Sequence, residues 1–205
     1  MRTNLLYPTW SDLEKTARAC TACGLSAERT QVVFGSGPLD ARLVLIGEAP
    51  GAQEDEQGIP FVGRSGALLD RLLVAVGLNR ADTYIANVVK CRPPDNRNPT
   101  RTEIATCRPF LDAQLAFLQP VVIVPLGNFA TRLLLGTKTG ITKMRGQVMH
   151  LPRRSDVDCE GPFPIVIPAL HPAAVLRGGG AAFDRAAEDF AVIAHTLRTS
   201  EASRR

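Results

Sequence analysis

The chain is predicted to fold as a three-layer α/β sandwich around a mainly parallel sheet, and two features of its 205 residues carry that prediction. Short apolar runs rich in β-formers alternate with longer segments whose apolar residues recur at helical spacing, as expected of buried strands connected by covering helices. Glycines, prolines and capping residues punctuate the boundaries. With 45% hydrophobic residues and no internal repeat or low-complexity tract, the chain can bury a full core as one domain, with two domains the alternative.

Taken in order, Ser11-Asp12-Leu13-Glu14 has the spacing of a capping box and opens a short helix that runs into Cys20. Residues 42–47 (RLVLIG) form a buried strand ended by a glycine turn. Residues 66–76 carry Leu68, Leu69, Leu72, Leu73 and Val76 on one helical face, and Gly77 stops that helix. Residues 83–90 (TYIANVVK) make the next strand. After the proline-rich loop 92–99, Thr100-Arg101-Thr102-Glu103 is a second capping box, and Cys107 falls on the helix it opens. Residues 121–126 and 164–170 are two further strands, with a helix over 129–135 after the first. The last helix aligns Phe183, Ala187, Phe190, Ala194 and Leu197 on one stripe. Residues 152–162 are expected to be a loop and 200–205 a short flexible tail.

Twenty-four Lys plus Arg against 20 Asp plus Glu gives a net charge of +4, a modest pointer to a polyanionic partner. No stretch approaches the roughly 20 apolar residues of a membrane span, and residues 1–10 lack the apolar run of a secretory leader. An odd cysteine count argues against a disulfide framework, so a reducing cytoplasm is expected.

Four of the five cysteines suggest a metal centre. Cys20 and Cys23 form a C-x2-C step ending in Gly24, a ligand knuckle more than a core strand, while Cys91 and Cys107 lie far downstream. Thiolates select zinc or iron–sulfur clusters over calcium or magnesium. Fifteen residues separate Cys91 from Cys107, so the zinc-ribbon pattern fits badly and a 4Fe-4S cluster is at least as good. Ordinary buried cysteines are the bland alternative. Cys159, in a polar stretch, is read as a loop thiol without a role.

In an open α/β sheet, ligands bind beyond the carboxyl ends of the strands. Gly47-Glu48-Ala49-Pro50-Gly51 follows the first strand, Asn87 lies in the second and His171-Pro172 follows the last. Each is weak alone, because a glycine turn, a strand Asn or a single His is commonly structural. Their joint placement on three strand ends gives them weight. There is no Walker loop, and Gly35-Ser36-Gly37 precedes a strand where a dinucleotide cradle would follow one.

The turn at 47–51, the following Gly58-Ile59-Pro60-Phe61-Val62-Gly63, Asn87, the run His171-Pro172-Ala173-Ala174-Val175-Leu176-Arg177 and the cysteine spacing together resemble the family 4 uracil-DNA glycosylases, the iron–sulfur branch of bacteria and archaea. The resemblance runs from about Asp12 to Leu197. It implies a four-stranded parallel sheet, a structural 4Fe-4S cluster on Cys20, Cys23, Cys91 and Cys107, and hydrolysis of the N-glycosidic bond of uracil in single- or double-stranded DNA by a monomer.

Roles follow from that resemblance. Phe61 would be the floor on which a flipped base stacks. Asn87 would read the uracil edge, because one amide both donates and accepts. His171 and the backbone N–H after Gly47 would stabilise the leaving anion. Family 1 enzymes carry a water-orienting Asp where this chain has Ala49, which leaves Glu48 as the only carboxylate in the turn to position water or stabilise the sugar cation. The bulky residue that guards family 1 pockets against thymine corresponds to Gly51. Arg64, Ser65, Pro93, Pro94, Arg97 and Arg177 are candidate DNA contacts, with N-capping the alternative for Ser65, and Val175 or Leu176 is the candidate wedge into the base stack. A zinc-based nucleic-acid module that releases no base, and an iron–sulfur electron carrier, are the rival readings.

Overall fold

The computed structural model describes residues 6–151 and 164–202. Its centre is the apolar run after Arg42. Strand β1 (Leu43–Gly47) is buried along its whole length between β2 (Thr83–Asn87) and β3 (Val122–Pro125), parallel to both. Beyond β3 lie β4 (Met149–His150) and β5 (Ile165–Val166), giving the order β2-β1-β3-β5-β4. β5 is parallel to β3, and β4 pairs antiparallel at the edge.

Alternate residues of these strands feed two apolar layers. Val44, Ile46, Tyr84, Ala86 and Ile123 face one, while Leu43, Leu45, Ile85, Val122 and Val124 face the other, as the two-residue period of a strand requires. The first layer is covered by α1 (Trp10–Arg18), α4 (Arg101–Leu118) and α5 (Gly127–Leu135). The second is covered by α3 (Arg64–Ala75) and α7 (Pro172–Ala202), which pack on each other. Two short helices, α2 (Ala52–Gln57) and α6 (Ile141–Met144), lie in the connections after β1 and α5. Gly179 breaks α7 with φ 66° and ψ −156°. No helix among the described residues is long and apolar enough to cross a membrane.

The α/β class and the parallel order stand, with five strands in place of four. The fifth, β4, is a two-residue edge strand, too short to carry periodicity. The strand expected over 164–170 is cut to two residues because Pro168 has no N–H for the ladder, although Ala169 still bridges to Leu126. Helix α1 is capped by Thr9, not Ser11: Thr9 is extended, and its Oγ1 accepts the Asp12 N–H at 3.1 Å. The Thr100–Glu103 capping box forms as expected, and Cys107 lies on its helix. Gly63 occupies the cap of α3, so Ser65 sits in its first turn and is not its N-cap. At the C-terminus, residues 200–202 belong to α7 and not to a tail. Residues 203–205 and the whole of the loop expected at 152–162, Cys159 included, lie outside the described residues.

Candidate active site and thiol cavity

A cleft of about 720 Å³ opens at the carboxyl ends of the parallel strands, lined by the turn after β1, Phe61, the first turn of α3, the loop before α4, the start of α5 and His171. Three sequence-predicted residues meet beside it. Asn87 ends β2 in register with Gly47 and is 2% exposed. A Cβ at Gly47 would overlap Asn87 Oδ1 and approach the Phe61 ring to 2.7 Å, so only glycine lets the amide and the ring close on this strand end. Asn87 Oδ1 is buried with no hydrogen-bond partner among the described residues. Leaving such an acceptor empty costs ~1–3 kcal/mol, and native folds seldom bear that cost without a use for the group.

Phe61 is buried with a left-handed backbone, φ 54°, and its ring lies 5.7 Å from that of His171 at 35°. That conformation is uncommon for a bulky residue and costs on the order of 1–3 kcal/mol, so its surroundings must hold it there.

His171 immediately precedes α7 and caps it. Its carbonyl accepts the N–H groups of Ala174 (2.8 Å) and Val175 (3.1 Å), and its Nδ1 accepts that of Ala173 at 3.2 Å. With Nδ1 occupied as an acceptor, the proton of the neutral ring is assigned to Nε2, which can donate. Burial, aided by the positive charge of Arg177, pushes the His171 pKa down to about 4, so the ring is neutral at physiological pH. Gly127, at φ 84° as the first residue of α5, backs this residue: a Cβ there would stand 3.0 Å from His171 Cβ.

Glu48 lines the cleft, and burial raises its carboxyl pKa. The next residues, Ala49 and Gly51, also line the cleft; Gly51 caps α2 and donates its N–H to Glu54 Oε2 at 3.1 Å.

The candidate DNA contacts divide. Arg64, Ser65, Pro93, Arg97 and Arg177 line the cleft, whereas Pro94, which starts a 3-10 turn, is not among the lining residues. Arg97 is bidentate to Glu103, at 2.9 and 2.6 Å, and this partner holds the Glu103 carboxyl down at about 2. The Arg97 fork therefore braces the loop, leaving less of it for a phosphate. Val175 is 3% exposed and packs in the core, so it cannot be the wedge. Leu176 is 41% exposed.

Sequence reasoning missed Glu54 and Gly127. The Gly51-x-x-Glu54 spacing was the available signal for the first, since glycine is an accepted cap. Nothing local marks Gly127, whose constraint comes from a residue 44 positions away.

The four predicted cysteines come together. Cys20 and Cys23 follow α1, Cys91 follows β2, Cys107 projects from α4, and all four line one small cavity that shares no lining residue with the cleft. All four are free thiols. Arg29 Nη1 donates to Cys91 Sγ and the Lys90 N–H to Cys107 Sγ, each at 3.3 Å. Burial pushes the Cys107 thiol up to about 11 and also raises Cys91, which favours the protonated thiol at both. Among the described residues, no three His, Cys, Asp or Glu side chains stand close enough to hold a single metal ion.

A sequence model of the uracil DNA glycosylase superfamily matches residues 34–193. The chain is 48% identical over 166 residues to a type-4 uracil-DNA glycosylase of Thermotoga maritima, covering 80% of this chain and 82% of that one. It is 41% identical over 169 residues to the type-4 uracil-DNA glycosylase of Archaeoglobus fulgidus, with the same coverage. A type-5 uracil-DNA glycosylase of Thermus thermophilus is 36% identical over 118 residues, about half of each chain.

Proposed function

From its membership of the uracil DNA glycosylase superfamily, alongside the type-4 enzymes, we propose that this chain removes uracil from DNA by hydrolysing the N-glycosidic bond, as the first step of base excision repair. The observation that carries the reading is the empty, buried acceptor Asn87 Oδ1 beside Phe61 and the neutral His171.

A base inside a duplex is out of reach, so uracil must leave the stack, at a cost of a few kcal/mol. Phe61 receives the flipped ring by stacking, a contact of ~1–3 kcal/mol. Asn87 Oδ1 accepts the uracil N3–H and its amide donates to O4; cytosine presents the opposite pattern and leaves both groups mismatched. The C1′–N1 bond then breaks with its electron pair passing to uracil. His171 Nε2–H donates to O2, where the negative charge collects, and a neutral donor does this without surrendering a proton to solvent. Water adds its oxygen to C1′, and the proton it loses passes to the uracil anion; Glu48, with its raised pKa, is the carboxylate we assign to orienting that water. Free uracil and an abasic sugar result.

Arg64, Ser65, Pro93 and Arg177 line the path of the DNA backbone, and Leu176 is the exposed apolar side chain that fills the vacated stack. The proposed activity is that of a monomer, on single- or double-stranded DNA. The four thiols fit a 4Fe-4S cluster: all four line one cavity, and Cys91 and Cys107 each receive an N–H donor. Such a cluster would supply a cross-link between the N-terminal segment, the end of β2 and α4, and takes no part in the chemistry. Reduced thiols suit the cytoplasm, and the whole chain acts as one glycosylase domain.

The purified protein should release free uracil from a uracil-containing oligonucleotide, read by mass spectrometry, and should leave matched cytosine and thymine strands intact. Binding without base release would return the chain to the nucleic-acid-module reading.

A further inference from the structure

Glu54 carries a geometry that the proposed reaction does not by itself call for. One carboxylate gathers three backbone donors from two separate loops: Oε2 accepts Gly51 N–H at 3.1 Å, and Oε1 accepts Val62 N–H at 3.0 Å and Gly63 N–H at 3.1 Å. The first loop is the turn after β1 that presents Glu48. The second directly follows Phe61, whose left-handed φ of 54° is a conformation the chain would not choose alone. On its other side, Phe61 is met by Gly66, where any Cβ would run into the Phe61 carbonyl. Arg80 Nη2 donates to Pro60 O at 2.6 Å, fixing the approach to the same residue.

We propose that Glu54 is a positioning residue for the base pocket, the clasp that locks the Phe61 platform against the Glu48 turn. The proposal rests on the glycosylase reading for its purpose but not for its geometry. All three bonds are charge-assisted, and both oxygens are used, so Glu54 is unsuited to activate water. That leaves two carboxylates of the same segment with separate tasks: Glu48 faces the cleft with a raised pKa, and Glu54 organises backbone. A carboxamide is not an equivalent clasp, because Gln offers one acceptor oxygen and turns an NH2 donor toward at least one backbone donor.

The test compares the parent with Glu54→Gln and with Glu54→Asp, which keeps the charge on a shorter arm, each assayed well below its own melting temperature. Thr9→Ala, which removes a cap on α1 far from the cleft, controls for loss of stability alone. Single-turnover uracil release at saturating enzyme should fall about tenfold to a hundredfold in both Glu54 variants, the scale of a 1 Å misplacement, with affinity for uracil-free duplex unchanged. Thr9→Ala should lower only the melting temperature. Hydrogen exchange at the Gly51, Val62 and Gly63 amides should accelerate in Glu54→Gln, a readout independent of activity. Parent-like rates in folded Glu54 variants, or unchanged exchange at those amides, would overturn the clasp. Should the parent itself release no uracil while the amides still lose protection, the clasp stands and the glycosylase reading falls.

Discussion

At Asn87 the fold keeps a buried acceptor empty, and a partner from outside the chain is the physical reason to do so. Free uracil at about a hundred times its Kd should therefore stabilise the parent by ~2.7 kcal/mol, while Asn87→Ala gains nothing; thermal shift with uracil titration reads both. An equal shift in the two proteins would remove Asn87 from the base contact. His171 makes a pH prediction. Its folded pKa of about 4 lies below the ordinary 6.5, so between those values the unfolded chain binds a proton that the folded one refuses. Its contribution to stability is complete above pH 6.5 and is lost as the pH falls toward 4. Chemical denaturation at pH 7 and 4.5 should show a smaller loss in His171→Ala than in the parent. At this scale the sequence was readable where chemistry concentrates in unusual residue types, as at Asn87 and His171. It was silent where a residue matters through distant backbone. The Val62 and Gly63 donors of Glu54 and the packing of Gly127 on His171 exist only after folding.

Among the elements, α7 does the most for the site. Its first residues fix His171 through three N–H donors, and its next turn separates Val175, pointing into the core, from Leu176, exposed beside the cleft. A wedge that replaces a departed base matters only where there is a stack to hold open. Leu176→Ala should therefore slow excision from duplex DNA more than from single strands, measured as the ratio of single-turnover rates on the two substrates. An unchanged ratio would take the wedge role from Leu176. Long elements with a clear period were legible, including the capped helix that carries Cys107. The two-residue β4 and the six-residue α2 were not, since neither spans enough residues to show a period.

Across the whole molecule, the thiol cavity and the cleft share no residue, yet the chain joins them: the loop from Cys91 to α4 supplies Pro93, Asn96 and Arg97 to the cleft wall. A group that binds only the folded state adds its binding free energy to folding. Cys23→Ala should accordingly lose iron and visible absorption, and melt at a lower temperature. A variant without iron that melts like the parent would show that the cavity is not a staple. The fold class was legible from alternation alone, but the choice of cluster over zinc came from the family resemblance, because the spacing of the four cysteines along the chain leaves both open.

The most direct test of the central claim, that the strand-end cleft expels uracil as an anion held by His171, is the single-turnover rate of uracil release at saturating enzyme for the parent, Glu48→Ala and His171→Ala, because it isolates the chemical step from binding and product release. If stabilising the leaving base outweighs orienting water, His171→Ala should be slower than Glu48→Ala and slower than the parent by about two to three decades, the ~2.7–4 kcal/mol of one lost oxyanion donor. A His171→Ala enzyme as fast as the parent would contradict the account.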